Sequence, residues 1–370
     1  MNILSVFGTR PEAIKMAPVV KALERDRRFT SRVCLTGQHR QMLDDVLGVF
    51  SLSADYDLKL MKDNQSLSDI VAGTMTGLDP ILLEFKPDYV LVQGDTATCM
   101  AASLAAFFRS VRVGHVEAGL RTGNLYSPWP EEANRRLTTV VTAKHFAPTQ
   151  RAVEALRGEK VPEKDIYLTG NTVIDALKLT VDIVQRPGPV REGLEKEFAW
   201  LDPGRRLILV TGHRRESFGG GFQNICQALC DIAQRPDVEI VYPVHLNPNV
   251  REPVFGILSG LKNIHLIEPL DYRRFVYLMS RCAFILTDSG GVQEEAPAIR
   301  KPVLVMRDTS ERMEAVEAEV ARLVTTDRAL IVRHAMELLD DPAAFAAMSS
   351  GASPFGDGRA AERIIEGLLA

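Results

Sequence analysis

An α/β protein built from two doubly wound domains is the architecture this sequence predicts. Short β-branched and leucine-rich runs alternate with helical spacing from one end to the other. The alternation breaks once, at a linker, and glycine and polar residues gather directly after the apolar runs. In the first half the candidate strands are residues 3–7, 32–36, 89–93, 112–116, 145–147 and 166–169. A helical stretch over 172–184 then meets "QRPGPVRE", where two prolines flanking a glycine cannot continue a helix. The pattern restarts with strands at 207–210, 239–244, 264–267, 283–286, 302–306 and 322–324. The expected division is therefore 1–185 for the first domain and 186–357 for the second, with 358–370 left as a terminal helix.

Composition fits this and narrows the function. The chain has 370 residues, 46% hydrophobic and 25% charged, enough to bury two cores. A formal net charge of -4 gives no broad basic field, so nucleic-acid binding has no support. Cysteines at 34, 99, 226, 230 and 282 form no C-x-x-C pair and are expected to be reduced thiols, with no metal. The opening apolar run is too short for a signal peptide and no segment reaches membrane length, so insertion is not expected and the cytoplasm is.

In open parallel sheets ligands collect beyond the carboxyl ends of the strands, where helix N-termini point inward. The unusual residues fall there. "GTRPEAIK" follows the first run, "GDTAT" the third and "EAGLRTG" the fourth; in the second half come "TGHRRESFGGG" and "DSGG". Two such edges facing across a cleft would be lined by Arg10, Asp95, Glu117, His213 and Ser289. Arg10 offers a planar fork suited to phosphate, with Lys15 one turn on. Asp95 could cap the following helix or serve chemistry. Glu117 stands where an apolar strand gives out and is hard to explain as packing. Glu131 could be an ordinary first-turn carboxylate of the helix after Pro130.

"TDSGGVQEEA" carries the most information. The amides of Ser289, Gly290 and Gly291 and the Ser289 hydroxyl can cradle a phosphate at a helix start. Glu295, a turn further in, would repel that phosphate unless it faced elsewhere, for example the hydroxyls of a ribose. Phosphate beside ribose means nucleotide. No Walker lysine and no dinucleotide fingerprint is present, which favours a nucleotide sugar over ATP hydrolysis or nicotinamide chemistry.

These blocks, with "FGTRPEAIKMAPV", "GHVEAGLRTGNLYSPWPEEANRR", "TGNTVIDAL", "YPVHLNPNVREPV", "KPVLVMRDTSER" and the late "PFGDG", closely resemble the bacterial non-hydrolysing UDP-N-acetylglucosamine 2-epimerases over nearly the whole chain. The resemblance implies a glycosyltransferase-B-like fold of two Rossmann-like domains around a cleft. It implies a homodimer without cofactor that interconverts UDP-GlcNAc and UDP-ManNAc for surface polysaccharide. Carried over, it assigns Arg10, His213, Ser289, Gly290 and Gly291 to the phosphates, supported by Lys15 and Arg312. Glu295 takes the ribose, Leu270 and Phe275 flank uracil, and Asp95, Glu117 and Glu131 are the acid/base candidates alongside His213. A second UDP-GlcNAc as activator would fall on Gln38, Gln41, Gln65, Arg214 and His245. The sequence departs from the family at Met313, usually proline, at Glu319 and Val320, usually Gly-Thr, and at Arg300, commonly glycine. A hydrolysing epimerase or a glycosyltransferase of the same fold are the alternative readings.

The C2 proton of such a sugar is poorly acidic, because no carbonyl sits next to it. Loss of UDP from C1 as the C2 proton is removed would give 2-acetamidoglucal, and re-addition with protonation from the other face would give the epimer.

Overall fold

The computed structural model describes residues 1–37, 40–61, 65–310 and 312–370, with 40–42 described by their backbone alone. Gln38 and the side chain of Gln41 therefore lie outside the described residues. The chain divides into two compact units, Met1–Ala176 with Phe355–Ala370, and Leu177–Pro354.

Among the described residues the first unit holds a seven-stranded parallel sheet. Its strands are β1 (Asn2–Phe7), β2 (Thr30–Leu35), β3 (Tyr56–Asp57), β4 (Tyr89–Gln93), β5 (Arg112–Val116), β6 (Lys144–Ala147) and β7 (Ile166–Leu168). Their order is β3-β2-β1-β4-β5-β6-β7. The second unit repeats the scheme with β8 (Arg206–Thr211), β9 (Val238–Pro243), β10 (Ile264–Ile267), β11 (Phe284–Thr287), β12 (Val303–Val305) and β13 (Ala321–Leu323), in order β10-β9-β8-β11-β12-β13. Every strand expected from the sequence is present within two residues at each end. The short β3 is additional: its two residues carry too little pattern to read, and it exists because β2 offers Cys34 and Leu35 as partners.

Both sheets reverse direction once, between β1 and β4 and between β8 and β11. At such a switch point the adjacent loops diverge and leave room for a ligand at the carboxyl edge. The strands themselves are near-continuous apolar runs because helices cover them; Ile3, Leu4, Val90, Leu91, Ile208, Leu209, Ile285 and Leu286 are fully buried. Cys34, Cys99, Cys226 and Cys282 are buried and Cys230 half-buried, and burial pushes the Cys34, Cys226 and Cys282 thiols up to about 12.

The last helix, Ala360–Leu369, packs on the helix Arg10–Arg25 and on β6 and β7. It lacks a cap of its own. Asp175 supplies one from a distance, accepting from the amides of Ala361 at 2.9 Å and Ala360 at 3.2 Å. Lys144 donates to the Gly367 carbonyl at 2.6 Å, and a Cβ on Gly367 would come within 2.8 Å of the Phe146 ring. Among the described residues no helix is long and apolar enough to cross a membrane, and no group of three or more His, Cys, Asp or Glu is placed to hold a metal ion.

Two of the family departures acquire a physical meaning. Arg300 has φ +60° and Glu319 φ +58°, the left-handed region where glycine is favoured. Each closes a helix by the same paired bonds: Arg300 and Lys301 donate to Pro297 and Ala296, and Glu319 and Val320 donate to Val316 and Ala315. The side chain at each position carries a conformational penalty that glycine escapes. Arg300→Gly and Glu319→Gly should each raise stability by about 1 kcal/mol, read as a higher midpoint in urea unfolding; a lower midpoint in both would contradict this.

The buried imidazoles of the first sheet give a second expectation. His115 donates through Nε2 to the Gly94 carbonyl at 2.7 Å, and among the described residues neither its Nδ1 nor that of His145 has a hydrogen-bond partner. Burial pushes both imidazoles down to about 4. The unfolded chain takes up these protons near pH 6.5 and the folded chain does not until about 4, so stability is complete above 6.5 and is lost as pH falls through that window. The loss amounts to about 3 kcal/mol for each imidazole. Urea midpoints should fall between pH 6.5 and 4.5, less steeply in His115→Gln; equal slopes would contradict the assignment.

Candidate active site

In the first unit the loop between β1 and the helix Arg10–Arg25 is built around a buried carboxylate. Glu12 accepts through Oε2 from the amides of Gly8 at 2.9 Å and Thr9 at 2.7 Å, while the Thr9 hydroxyl caps the helix in return. Its Oε1 accepts from the Thr96 hydroxyl, which itself caps the next helix, Ala97–Phe108. One carboxylate thus ties the loop after β1 to the loop after β4. Burial pushes the Glu12 carboxyl up, against the pull of Thr96, Gly8 and Thr9. Gly8 is required here, since a Cβ would lie 1.9 Å from the Thr36 hydroxyl. The clasp leaves Arg10 as the first helical residue, half-buried, with no ion pair or hydrogen bond from its guanidinium among the described residues.

The acid/base candidates stand at the ends of β4 and β5 and at the next helix start. Glu117 has φ +66°, a conformation a glutamate adopts at a cost of about 1–2 kcal/mol, so the surrounding contacts must enforce it. Lys15 donates to both its oxygens, at 2.7 and 2.5 Å, and Gln93 donates to Oε2 at 2.5 Å. Asp95 is not the helix cap that its position allowed; Thr96 is. Its carboxylate pairs instead with Arg135 at 2.6 Å, and Asn134 donates to its carbonyl at 2.9 Å. Arg135 also reaches Glu132 at 3.2 Å, and the buried Glu132 accepts from the amides of Thr122 and Gly123. Glu131, beside it on the helix Glu131–Val141, has its Oε2 buried without a hydrogen-bond partner among the described residues. A buried carboxylate oxygen in that condition is costly unless something binds to it.

In the second unit β8 and β11 lie side by side, with Thr211 opposite Thr287 and their hydroxyls 2.6 Å apart. The Thr287 hydroxyl accepts from the Ser289 amide at 2.9 Å. Ser289 is the N-cap of the helix Gly290–Ala298 yet its hydroxyl makes no cap. The first-turn amides of that helix are therefore left for an anion. Asp288, fully buried, accepts through Oδ2 from the amides of His213 and Arg214, both at 2.7 Å, and its Oδ1 lies 3.4 Å from His213 Nδ1. The Arg214 guanidinium comes to 4.0 Å from where a Cβ on Gly290 would stand. The His213 ring stacks on His245 with centroids 5.5 Å apart. Of the residues grouped by resemblance with an activator site, Arg214 thus lies beside Gly290 and His245 beside His213 in this unit. Gln65 lies in the other unit, just before the helix Leu67–Phe85.

The two inner carboxylates of "GGVQEEA" are accounted for. Glu294 is buried and takes the Arg312 guanidinium, so the helix start keeps its positive field and Arg312 has an anion of its own. Glu295 accepts through Oε1 from the Tyr272 hydroxyl at 2.6 Å, and its Oε2 approaches Gly291. Tyr272 opens the helix Tyr272–Arg281, capped by Asp271, and that same turn carries Leu270 and Phe275, both half-buried. Uracil and ribose candidates are thereby neighbours.

Sequence reasoning missed Glu12, Gln93, Arg135, Asp288 and Tyr272. Thr9-Arg10-Pro11-Glu12 is a capping-box spelling that could have pointed to Glu12. Gln93, Arg135 and Tyr272 carry no local signal, since each matters through a partner distant in sequence.

The arrangement matches known proteins along its full length. Residues 21–369 fit the family described as UDP-N-acetylglucosamine 2-epimerase, and the chain belongs to that family. The UDP-N-acetylglucosamine 2-epimerase of Escherichia coli (strain K12) is 57% identical over 369 residues, covering 100% of this chain and 98% of that protein. The crystal structure of the UDP-GlcNAc 2-epimerase from Neisseria meningitidis bound to UDP-GlcNAc is 50% identical, covers 100% of both chains and superposes with a TM-score of 0.91. The glycotransferase of kitacinnamycin, 15% identical with a TM-score of 0.65 over 99% of this chain and 98% of its own, shares the fold. The doubly wound α/β class, of the kind glycosyltransferases also use, is the one expected from the sequence.

Proposed function

We propose that this chain interconverts UDP-N-acetylglucosamine and UDP-N-acetylmannosamine without hydrolysis, in the cytoplasm, supplying a precursor of surface polysaccharide. The observation that carries the reading furthest is Glu117, forced into a left-handed conformation with Lys15 and Gln93 on its carboxylate. The 50% identity to a protein crystallised with UDP-GlcNAc supports the substrate. In the proposed reaction a carboxylate among Asp95, Glu117 and Glu131 takes the C2 proton. The C2–H electron pair becomes the C1=C2 bond and the C1–O pair leaves with UDP. A second carboxylate protonates C2 on the opposite face as UDP returns to C1. Arg10, His213 and the amides of Ser289, Gly290 and Gly291 receive the charge on the departing diphosphate. No cofactor is needed, because the elimination is redox-neutral.

Incubation with UDP-N-acetylglucosamine in deuterated water, followed by NMR, tests the reading. Deuterium at C2 of UDP-ManNAc is expected. Epimerisation with the C2 proton retained overturns the elimination, and free N-acetylmannosamine as product would favour the hydrolysing alternative.

A homodimer is part of the proposal. Phe107 and Phe108 end the helix Ala97–Phe108, and Leu137 and Val140 lie on the helix Glu131–Val141 that packs beside it; all are more than half exposed, Val140 by 82%. A second copy of the chain covering these residues would remove the apolar surface from water. Val140→Glu with Phe108→Glu should halve the sedimenting mass; a wild-type monomer overturns this part. Activation by a second UDP-GlcNAc remains part of the family reading, and would show as a sigmoidal dependence of rate on substrate.

A further inference from the structure

We infer that Asp288 is a positioning residue that holds His213 with its proton on Nδ1, so that the second unit binds a nucleotide diphosphate only by taking up a proton. The inference rests on the diphosphate reading above. Asp288 makes two kinds of contact with one carboxylate. Its Oδ2 is saturated by the amides of His213 and Arg214, which fixes the backbone of the loop after β8. Its Oδ1, buried and without a hydrogen bond among the described residues, faces His213 Nδ1 at 3.4 Å. A carboxylate cannot donate, so the only tautomer of a neutral imidazole that suits this neighbour carries its hydrogen on Nδ1. The other nitrogen, Nε2, then presents a lone pair on the outer side of a half-exposed ring.

A lone pair repels phosphate oxygen. The site around it is otherwise built for anions: the uncapped helix start at Ser289 and the Arg214 guanidinium near Gly290 both draw negative charge in. Among the described residues the charged and titratable groups around the ring are Asp288 from the loop after β11, His245 stacked from the loop after β9, and Arg214 on its own loop. Arg215 and Glu216 follow in the next turn, where Glu216 is engaged by Arg307. Burial keeps the imidazole below its ordinary value, opposed by Asp288 and aided by His245 and Arg214, so the unliganded ring is neutral at pH 7.5. An incoming diphosphate turns this round. It favours the imidazolium, whose Nε2–H donates to a phosphate oxygen while Nδ1–H stays on Asp288. The proton comes from solvent and remains on the ring while the C1–O electron pair departs with UDP.

Asp288→Asn isolates this role. The asparagine oxygen can still accept from the two backbone amides, while its NH2 group replaces Oδ1 and donates to Nδ1. The neutral ring then carries its hydrogen on Nε2 and can meet phosphate without a proton from solvent. The test is calorimetry of the full chain with UDP-N-acetylglucosamine at pH 7.5 in buffers of different ionisation enthalpy. Epimerisation consumes no net proton, and the diphosphate of a UDP-sugar does not titrate there, so the buffer-dependent heat counts protons taken up on binding. Wild type should take up close to one proton per site, Asp288→Asn and His213→Gln close to none. In wild type the kcat/KM should fall tenfold per pH unit above neutrality, a slope that Asp288→Asn should abolish. Absence of uptake in wild type, or uptake that persists in either variant, overturns the inference. Proton uptake in a chain that makes no UDP-ManNAc would instead leave this inference standing and remove the proposed reaction.

Discussion

Glu117→Gln is expected to lower turnover by about a thousandfold while changing UDP affinity by no more than about threefold. The amide has the volume of the carboxylate and can keep an acceptor for Gln93 and for one contact from Lys15. What it cannot do is accept a proton from carbon or carry the charge that Lys15 balances. The carboxylate is placed by the residue that directly follows β5, held in a left-handed conformation. Steady-state rates by coupled assay, with UDP binding by calorimetry, measure the two quantities separately. If affinity falls as far as turnover, Glu117 binds nucleotide and the acid/base assignment is wrong. Glu131→Gln should follow the same pattern, since its Oε2 is buried and unpartnered before any substrate arrives.

Glu12→Ala should have the largest effect on stability, a loss of about 3–5 kcal/mol in urea unfolding. Removing the carboxylate strands the amides of Gly8 and Thr9 and the hydroxyl of Thr96 in a region that water does not reach easily. An unsatisfied buried donor costs about 1–3 kcal/mol, and three are involved. Glu12→Gln keeps one oxygen for the amides and should recover more than half of the loss. Equal destabilisation by both would overturn this, because glutamine keeps the volume and one acceptor oxygen and would then have recovered nothing. Activity should fall in Glu12→Ala even in the folded fraction, as the loops carrying Arg10 and Asp95 are no longer tied together.

The pH behaviour of the chain divides along the same lines. His115 and His145 are structural: buried, neutral and destabilising when the unfolded chain can be protonated and the folded one cannot. His213 is half exposed and set against Asp288, so its outer nitrogen can take up a proton when a ligand binds.

Much of this was legible in the sequence because it depends on local order. Strand and helix alternation follows from which residues are apolar, and every strand but the two-residue β3 was placed by it within two residues. That Arg10, Asp95 and Glu117 lie at the carboxyl edge of the first sheet, and His213 and Ser289 at that of the second, follows from connectivity, since loops after parallel strands share one side of a sheet. Arg300 and Glu319 stood out in the sequence only as departures; that both have a positive φ, and that position 8 has no room for a Cβ, are set by the folded backbone. The tertiary structure decided partnership. That Glu294 takes Arg312 and Glu295 takes Tyr272, that Asp95 pairs with Arg135 while Thr96 does the capping, and that Asp288 faces an imidazole from a loop 75 residues away are distances between side chains remote in sequence. Spacing along a chain fixes which groups share an edge, whereas hydrogen bonds form only within about 3 Å, and that last step is set by how the sheets and helices pack.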